Sequence, residues 1–263
     1  MRTRIFSVLV ILLSLGTGAI GAQGFQLDSP GRGGASGGGT GFCSQQSNYL
    51  LCEDFEGSSS CYSGGSSNCQ NTWSQSSYTT VTANYTTSPA PLDGNYSLYT
   101  VGSGTGSMTK TFTATSPVYS RHQFVAELLS LSSGSSARFF QIDDGAHTLC
   151  AAGISNVSGT YRLYVMNDSN NASGTTTSIS ASIDYCIWLD FVAGSSTSSC
   201  TAYIATATGS RESKSCSSKP GTAEVALTNQ SESYNASRIQ LLDFQGSVDQ
   251  DIYDDILVKA SAF

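Results

Sequence analysis

From Ser97 onward, apolar and polar residues alternate in short bursts, each closed by a cluster of Ser, Gly, Asn or Asp. Among them are SLYTV (97–101), HQFVAELLSL (122–131), ARFFQI (137–142), YRLYVMN (161–167), YCIWLDFV (185–192), CTAYIAT (200–206) and RIQLLDF (238–244). A repeat of two is that of a half-buried β-strand, because successive side chains leave opposite faces of the sheet. No long stretch carries the 3.6-residue repeat of a helix. Evenly spaced strands over 42–263 predict an all-β fold, a single two-sheet antiparallel sandwich of jelly-roll type. Alternation alone puts Gln123, Val125, Glu127 and Leu129 on one face of their strand. It puts Ala137, Phe139 and Gln141 on one face of theirs, with Arg138 on the other.

Two stretches break the pattern in the same way. LLCEDFEG (50–57) sets Glu53, Asp54 and Glu56 into an apolar run, and VDQDIYDDILV (248–258) sets Asp249, Asp251, Asp254 and Asp255 into a strand-like one. A buried strand tolerates such acids only when each carboxylate has a partner. Two partners fit: backbone N–H groups, or a hard cation that takes carboxylate and carbonyl oxygens. Acids exposed on an edge strand would need neither, since they serve to discourage sheet-to-sheet association.

The N-terminus follows different rules. Arg2 and Arg4 precede the apolar run IFSVLVILLSL, and GTGAIGA follows it, which is the order of a secretory signal peptide over 1–22. The run from Ile5 to Leu15 is well short of the roughly 20 residues a spanning helix needs, so no membrane span is expected after cleavage. Residues 23–41 are glycine-rich and read as a flexible linker. With no strand before it and no Lys after it, this segment does not have the makings of a phosphate loop. The expected location is outside the cell or at its surface, with the periplasm as the alternative.

The chain has eight cysteines and no C-x-x-C pair, a usage that points to disulfides in an oxidising compartment rather than to zinc. In CTAYIATATGSRESKSC, a three-residue loop Ala207-Thr208-Gly209 places Gly209 where a positive φ is needed and sets Cys200 opposite Cys216. Proximity pairs Cys43 with Cys52 and Cys61 with Cys69, leaving Cys150 for Cys186. Net charge is −7 and becomes −9 once Arg2 and Arg4 leave with the signal. The remaining lysines and arginines form no basic stripe, so a nucleic-acid partner is not expected.

The order EDFEG (53–57), Trp73, Gly94, Ser97-Leu98 and a closing YDDILV (253–258) resembles the concanavalin A-like lectin/glucanase superfamily, and within it the laminin G-like jelly-roll domains of exported proteins. In the laminarinase-type members an acidic first-strand motif and an acidic last-strand motif help bind structural calcium. The resemblance implies that the first and last strands lie close, with Asp54, Glu56 and Asp254 as calcium ligands. It also implies a polysaccharide or cell-surface glycan as partner. Glu127, Arg138, Gln141 and Tyr164, polar or aromatic residues on the middle strands, are the candidate glycan contacts.

Catalytic motifs are incomplete. The superfamily's glucanases need a Glu-x-Asp-x-x-Glu strand, and no such run occurs here. Alginate-lyase-like members carry Arg-x-Glu-Leu-Arg and Gln-Ile-His; the echoes here are Ala126-Glu127-Leu128 and Gln141-Ile142-Asp143, which lose the second Arg and the His. Of the two histidines, His147 follows a turn and reads as solvated, while His122 opens a strand and reads as a neutral surface residue. Trp188 shares a face with Cys186 and Asp190 and reads as packing beside a disulfide; Trp73 likewise reads as a packing residue. The expectation is a noncatalytic carbohydrate-binding or adhesion module. The alternatives are a polysaccharide-degrading enzyme, hydrolase or lyase, and a structural surface or matrix protein.

Overall fold

A computed structural model describes residues 41–57, 61, 69–76, 80–82, 91–94, 96–102, 106–210, 214–242 and 249–263. The expected signal peptide and nearly all of the expected linker lie outside the described residues. Among the described residues, fifteen strands follow a short 3-10 turn at Phe42–Gln45. They are β1 (Leu51–Glu53), β2 (Ser74–Ser76), β3 (Thr80–Thr82), β4 (Leu98–Gly102), β5 (Ser107–Thr115), β6 (Val118–Ala126), β7 (Ser136–Asp143) and β8 (Thr148–Val157). The rest are β9 (Thr160–Met166), β10 (Asn171–Ser178), β11 (Tyr185–Val192), β12 (Gly194–Thr206), β13 (Val225–Glu232), β14 (Ala236–Leu242) and β15 (Asp249–Lys259).

The strands form two antiparallel sheets. One has eight strands in the order β13-β12-β11-β6-β15-β4-β3, with β1 paired to the end of β15; the other has seven, β10-β9-β8-β7-β14-β5-β2. Alternation then decides what lies between them. Ile187, Leu189 and Phe191 of β11, Phe124 of β6 and Tyr253 of β15 face Phe140 and Ile142 of β7, Leu163 and Val165 of β9, and Ile239 and Leu241 of β14, all buried. Tyr253 keeps its polar tip satisfied there, its hydroxyl donating to the carbonyls of Phe139 (3.1 Å) and Leu242 (2.8 Å).

The first and last strands are neighbours, with Leu51, Cys52 and Glu53 opposite Val258, Leu257 and Ile256. Trp73 and Trp188 are both core residues, and Trp188 packs with Cys186 and Cys216. Three expectations need correction. β6 ends at Ala126 rather than running on to Leu131: Ser182 N–H takes the carbonyl of Ala126, and the carbonyls of Leu129 and Leu131 accept side-chain donors from Tyr161 and Asn156. His122 is not a surface residue. It faces the core opposite Ile187, fully buried, its ring stacked on Phe140 at 4.3 Å.

The third correction concerns the cysteines. Cys43–Cys52 and Cys61–Cys69 form as expected, but the other two bridges are Cys150–Cys200 and Cys186–Cys216. Gly209 has the positive φ that the loop reading required, 104°, yet the strand does not continue beyond it. β12 stops at Thr206, and a single bridge joins Thr208 to Ser215, so no ladder carries Cys216 back opposite Cys200. Cys200 instead sits opposite Phe191, on the core face, and reaches Cys150 of the other sheet. Cys186 lies on the outer face of β11, where the returning loop delivers Cys216. Four disulfides fit maturation in an oxidising compartment. Among the described residues no helix is long and apolar enough to cross a membrane.

Candidate functional site

The outer face of the seven-stranded sheet gathers three of the four expected glycan contacts. A bulge between Arg138 and Phe140 changes the parity of β7, so Arg138 and Gln141 share the outer face that simple alternation had denied them. Arg138 stands opposite Gly153, which stands opposite Tyr164 on β9. A Cβ at Gly153 would come within 2.4 Å of the Tyr164 ring and 2.2 Å of the Ala137 carbonyl. Glycine there lets the tyrosine lie down over β8 toward Arg138.

The polar groups on this face form a chain. Arg138 Nη1 donates to Gln141 Oε1 at 2.9 Å, Gln141 Nε2 donates to Asp143 Oδ2 at 3.1 Å, and Arg238 Nε on β14 pairs with Asp143 Oδ1 at 2.5 Å. The backbone N–H of Gly145 also donates to Asp143 Oδ1. Gln240 lies beside Gln141, and Thr109 and Thr111 of β5 extend the polar rows across the sheet. Arg238 was not singled out in the sequence. Its signal was the register of RIQLLDF, which puts Arg238 and Gln240 on the face opposite Ile239 and Leu241. Tyr164 is mostly buried, its hydroxyl donates to Met166 Sδ, and burial raises its pKa, against the opposing influence of Ser136 and Arg138. Glu127 is not part of this face. It follows β6 of the other sheet and accepts a hydrogen bond from Ser182 Oγ at 2.6 Å.

The acids of the two interrupted strands meet at the β1–β15 seam. Glu53 is surrounded by five donors: the N–H groups of Phe55, Gln70 and Asn71, the Asn71 amide and the Trp73 indole, at 2.7–3.2 Å. Burial still raises its pKa. Asp54 accepts from the N–H groups of Cys43 and Glu56 and from the Gln70 amide, and Glu56 accepts from the N–H of Tyr96. On β15, Asp254 accepts from Ser97 Oγ at 2.6 Å and from the N–H groups of Asp93 and Asp255. Asp255 accepts from the Gln123 amide at 3.0 Å. Burial raises both Asp254 and Asp255 well above the usual carboxylate range; repulsion from Asp255 and Asp93 adds to it at Asp254, and repulsion from Asp93 and Asp54 adds to it at Asp255, where the charge of Arg121 works the other way. Among the described residues, no three His, Cys, Asp or Glu side chains are arranged to hold a metal ion. The carboxylates are engaged chiefly by protein N–H and O–H donors.

No family model matches the chain, and no curated protein matches it. Among solved structures, a cellulose-induced protein, Cip1, matches 80% of this chain and 97% of its own, with a TM-score of 0.51 and 17% identity. A botulinum neurotoxin serotype D binding domain matches 82% of this chain and 48% of its own, with a TM-score of 0.50 and 8% identity. The fold is a concanavalin A-like jelly roll. Also similar is the alginate lyase from Klebsiella pneumoniae, over 65% of this chain and 84% of its own, at a TM-score of 0.44 and 7% identity. The likeness to the first two establishes the jelly roll, and the chemistry rests on the side chains of this chain.

Proposed function

We propose that this protein is an exported, noncatalytic carbohydrate-binding module whose outer seven-stranded face takes an extended polysaccharide. The observation that carries this reading is the convergence of Arg138, Gln141 and Tyr164 on one face, where the hydrogen-bonded chain through Asp143 to Arg238 holds the guanidinium and the amide in place beside the tyrosine. Fixed amide and guanidinium groups are what a sugar's hydroxyls require, and the tyrosine, mostly buried beneath them, backs the guanidinium. A catalytic carboxylate is not favoured here: Asp143 already takes Arg238, the Gln141 amide and the Gly145 N–H. Export is supported by the four disulfides.

Affinity measurements on a polysaccharide panel that includes cellulose test the reading. Arg138→Ala and Gln141→Ala should each weaken binding by about tenfold, or roughly 1.4 kcal/mol, while Glu127→Ala should leave it unchanged. Equal affinity in all three would place the binding face elsewhere. A lyase remains the second reading because Gln141 and Asp143 share a face beside Tyr164 and Arg138. Release of unsaturated uronate ends that Tyr164→Phe abolishes would replace the noncatalytic reading with it.

Calcium at the β1–β15 seam is a separate proposal, supported by charge balance rather than by a ready-made cage. The proposed ligands are Asp54, Glu56 and Asp254; Asp255 and Asp93 repel Asp254, Asp93 and Asp54 repel Asp255, and among the described residues Arg121 is the cation that eases Asp255. Millimolar calcium should then raise the melting temperature of EDTA-treated protein, and a free calcium concentration of 100 times the dissociation constant would add about 2.7 kcal/mol. Superimposable melts with and without calcium would rule the ion out.

A further inference from the structure

Three connections meet at one end of the sandwich: the one between β7 and β8, the turn between β9 and β10, and the turn between β13 and β14. They bring together Asp144 and His147, Asp168, and Glu232 with Tyr234. The His147 and Tyr234 rings are stacked nearly parallel, 4.1 Å between centroids and 9° between planes, and the tyrosine is 46% exposed. An exposed aromatic plate is therefore held at a fixed angle by a second ring. Asp144 binds His147 Nδ1 at 2.9 Å and also accepts the N–H groups of Ala146 and His147, so its charge is used within its own turn.

Two carboxylates remain at this end. Asp168 accepts one N–H, from Thr148 at 2.9 Å. Glu232 is only 8% exposed, and among the described residues its carboxylate accepts no hydrogen bond. It lies within the field of Asp168, His147 and Asp144, with no Lys or Arg acting on it. Its carboxylate oxygens keep a solvent-facing edge and have no protein donor among the described residues, so the edge that faces water is open to a ligand's N–H groups. Even with His147 protonated, acids outnumber cations here by three to one.

Resting on the carbohydrate-binding reading above, we propose that Tyr234, Asp168 and Glu232 form a subsite for a protonated amino sugar, such as a glucosamine unit of partly deacetylated chitin. The pyranose C–H face stacks on the open side of Tyr234, and the 2-ammonium group supplies the N–H donors and positive charge that Glu232 and Asp168 lack. The N-acetylated sugar offers the same face to the tyrosine but no charge. The subsite therefore selects for the free amine. Its place next to Asp143 and just before β14 sets it at the end of the polar face, where it can hold one unit of a chain lying across that face.

Calorimetric titration with glucosamine, N-acetylglucosamine and cellulose oligomers of equal length tests this. The wild-type protein should prefer the glucosamine oligomer by tenfold or more at low salt and lose much of that preference at high salt. Glu232→Gln and Asp168→Asn should each bring the affinity for the glucosamine oligomer down toward that for the acetylated one, and Tyr234→Ala, at an exposed position, should weaken both. Equal wild-type binding of glucosamine and N-acetylglucosamine oligomers would overturn the subsite, as would a lysine oligopeptide binding as tightly as the glucosamine oligomer. Cellulose binding that depends on Arg138 but shows no amine preference sinks the subsite alone. An amine preference that survives alongside unchanged affinities in Arg138→Ala and Gln141→Ala sinks the proposed face alone.

Discussion

His122 shows what one residue can cost a core. It is fully buried between the sheets, neither ring nitrogen has a hydrogen-bond partner among the described residues, and burial lowers its pKa to about 3. In the unfolded chain the imidazole takes up a proton near its ordinary value of 6.5, so the unfolded state binds more protons throughout the interval between. Stability is therefore lost as pH falls from about 6.5 toward 3, by up to about 1.4 kcal/mol per pH unit. His122→Phe keeps the stack on Phe140 and removes the titration. It should raise the melting temperature more at about pH 5 than at about pH 8. Asp255 has the opposite sign. Its carboxyl is raised by burial and by neighbouring acids, so the protonated form is favoured in the fold and stability is lost as pH climbs through the raised value. Asp255→Asn suits the left-handed backbone there, φ 48°, and its side-chain oxygen can still accept from Gln123. It should stabilise the protein at about pH 8 and change little at about pH 4; a lower melting temperature at the higher pH would mean that the ionised carboxylate is compensated in the fold.

At the scale of the strand, much was legible where one face is apolar and little where neither is. YCIWLDFV is β11 residue for residue, and YRLYVMN and ARFFQI lie within a residue or so of β9 and β7. β10, NASGTTTS, is an edge strand with most positions exposed, and no hydrophobic alternation marks it. The candidate face was misread for a different reason: period-two counting fails across a bulge, and the one at Arg138/Phe140 turns Arg138 to the side of Gln141. The cysteine pairing failed because a loop register was extended past the end of its strand. Face parity could have corrected it, since Cys186 shares the outer face with Trp188 while Cys200, opposite Phe191, points inward. Peptide mapping without reduction should recover Cys150 linked to Cys200 and Cys186 linked to Cys216. A Cys200–Cys216 peptide would require β12 to continue through 207–216.

Across the whole molecule the four bridges are not equivalent. Cys43–Cys52 and Cys61–Cys69 close short segments, and Cys186–Cys216 fastens a loop to the outer face of its own sheet. Cys150–Cys200 joins the two sheets and closes a segment of 50 residues. Chain-entropy reasoning assigns such a closure about 4 kcal/mol, against about 2.6 kcal/mol for the 9-residue separation of Cys43 and Cys52. For a domain of this size about 1 kcal/mol moves the melting temperature by 2–4 °C, so replacing Cys150 and Cys200 together by Ala should lower it by roughly 8–16 °C. Replacing Cys43 and Cys52 should lower it by roughly half to two-thirds as much. Neither pair should be needed to reach the fold at room temperature, because the two sheets already enclose aromatic and aliphatic side chains from Phe55 to Val258 with almost no exposure. A chain of this length buries a larger share of its surface than the small disulfide-dependent domains do. Circular dichroism of the Cys150/Cys200 double variant at about 25 °C should accordingly keep its β signature and lose it in one cooperative transition on heating. A spectrum already unfolded at that temperature would mean that the sheets are held together by the bridge, not by the packing between them.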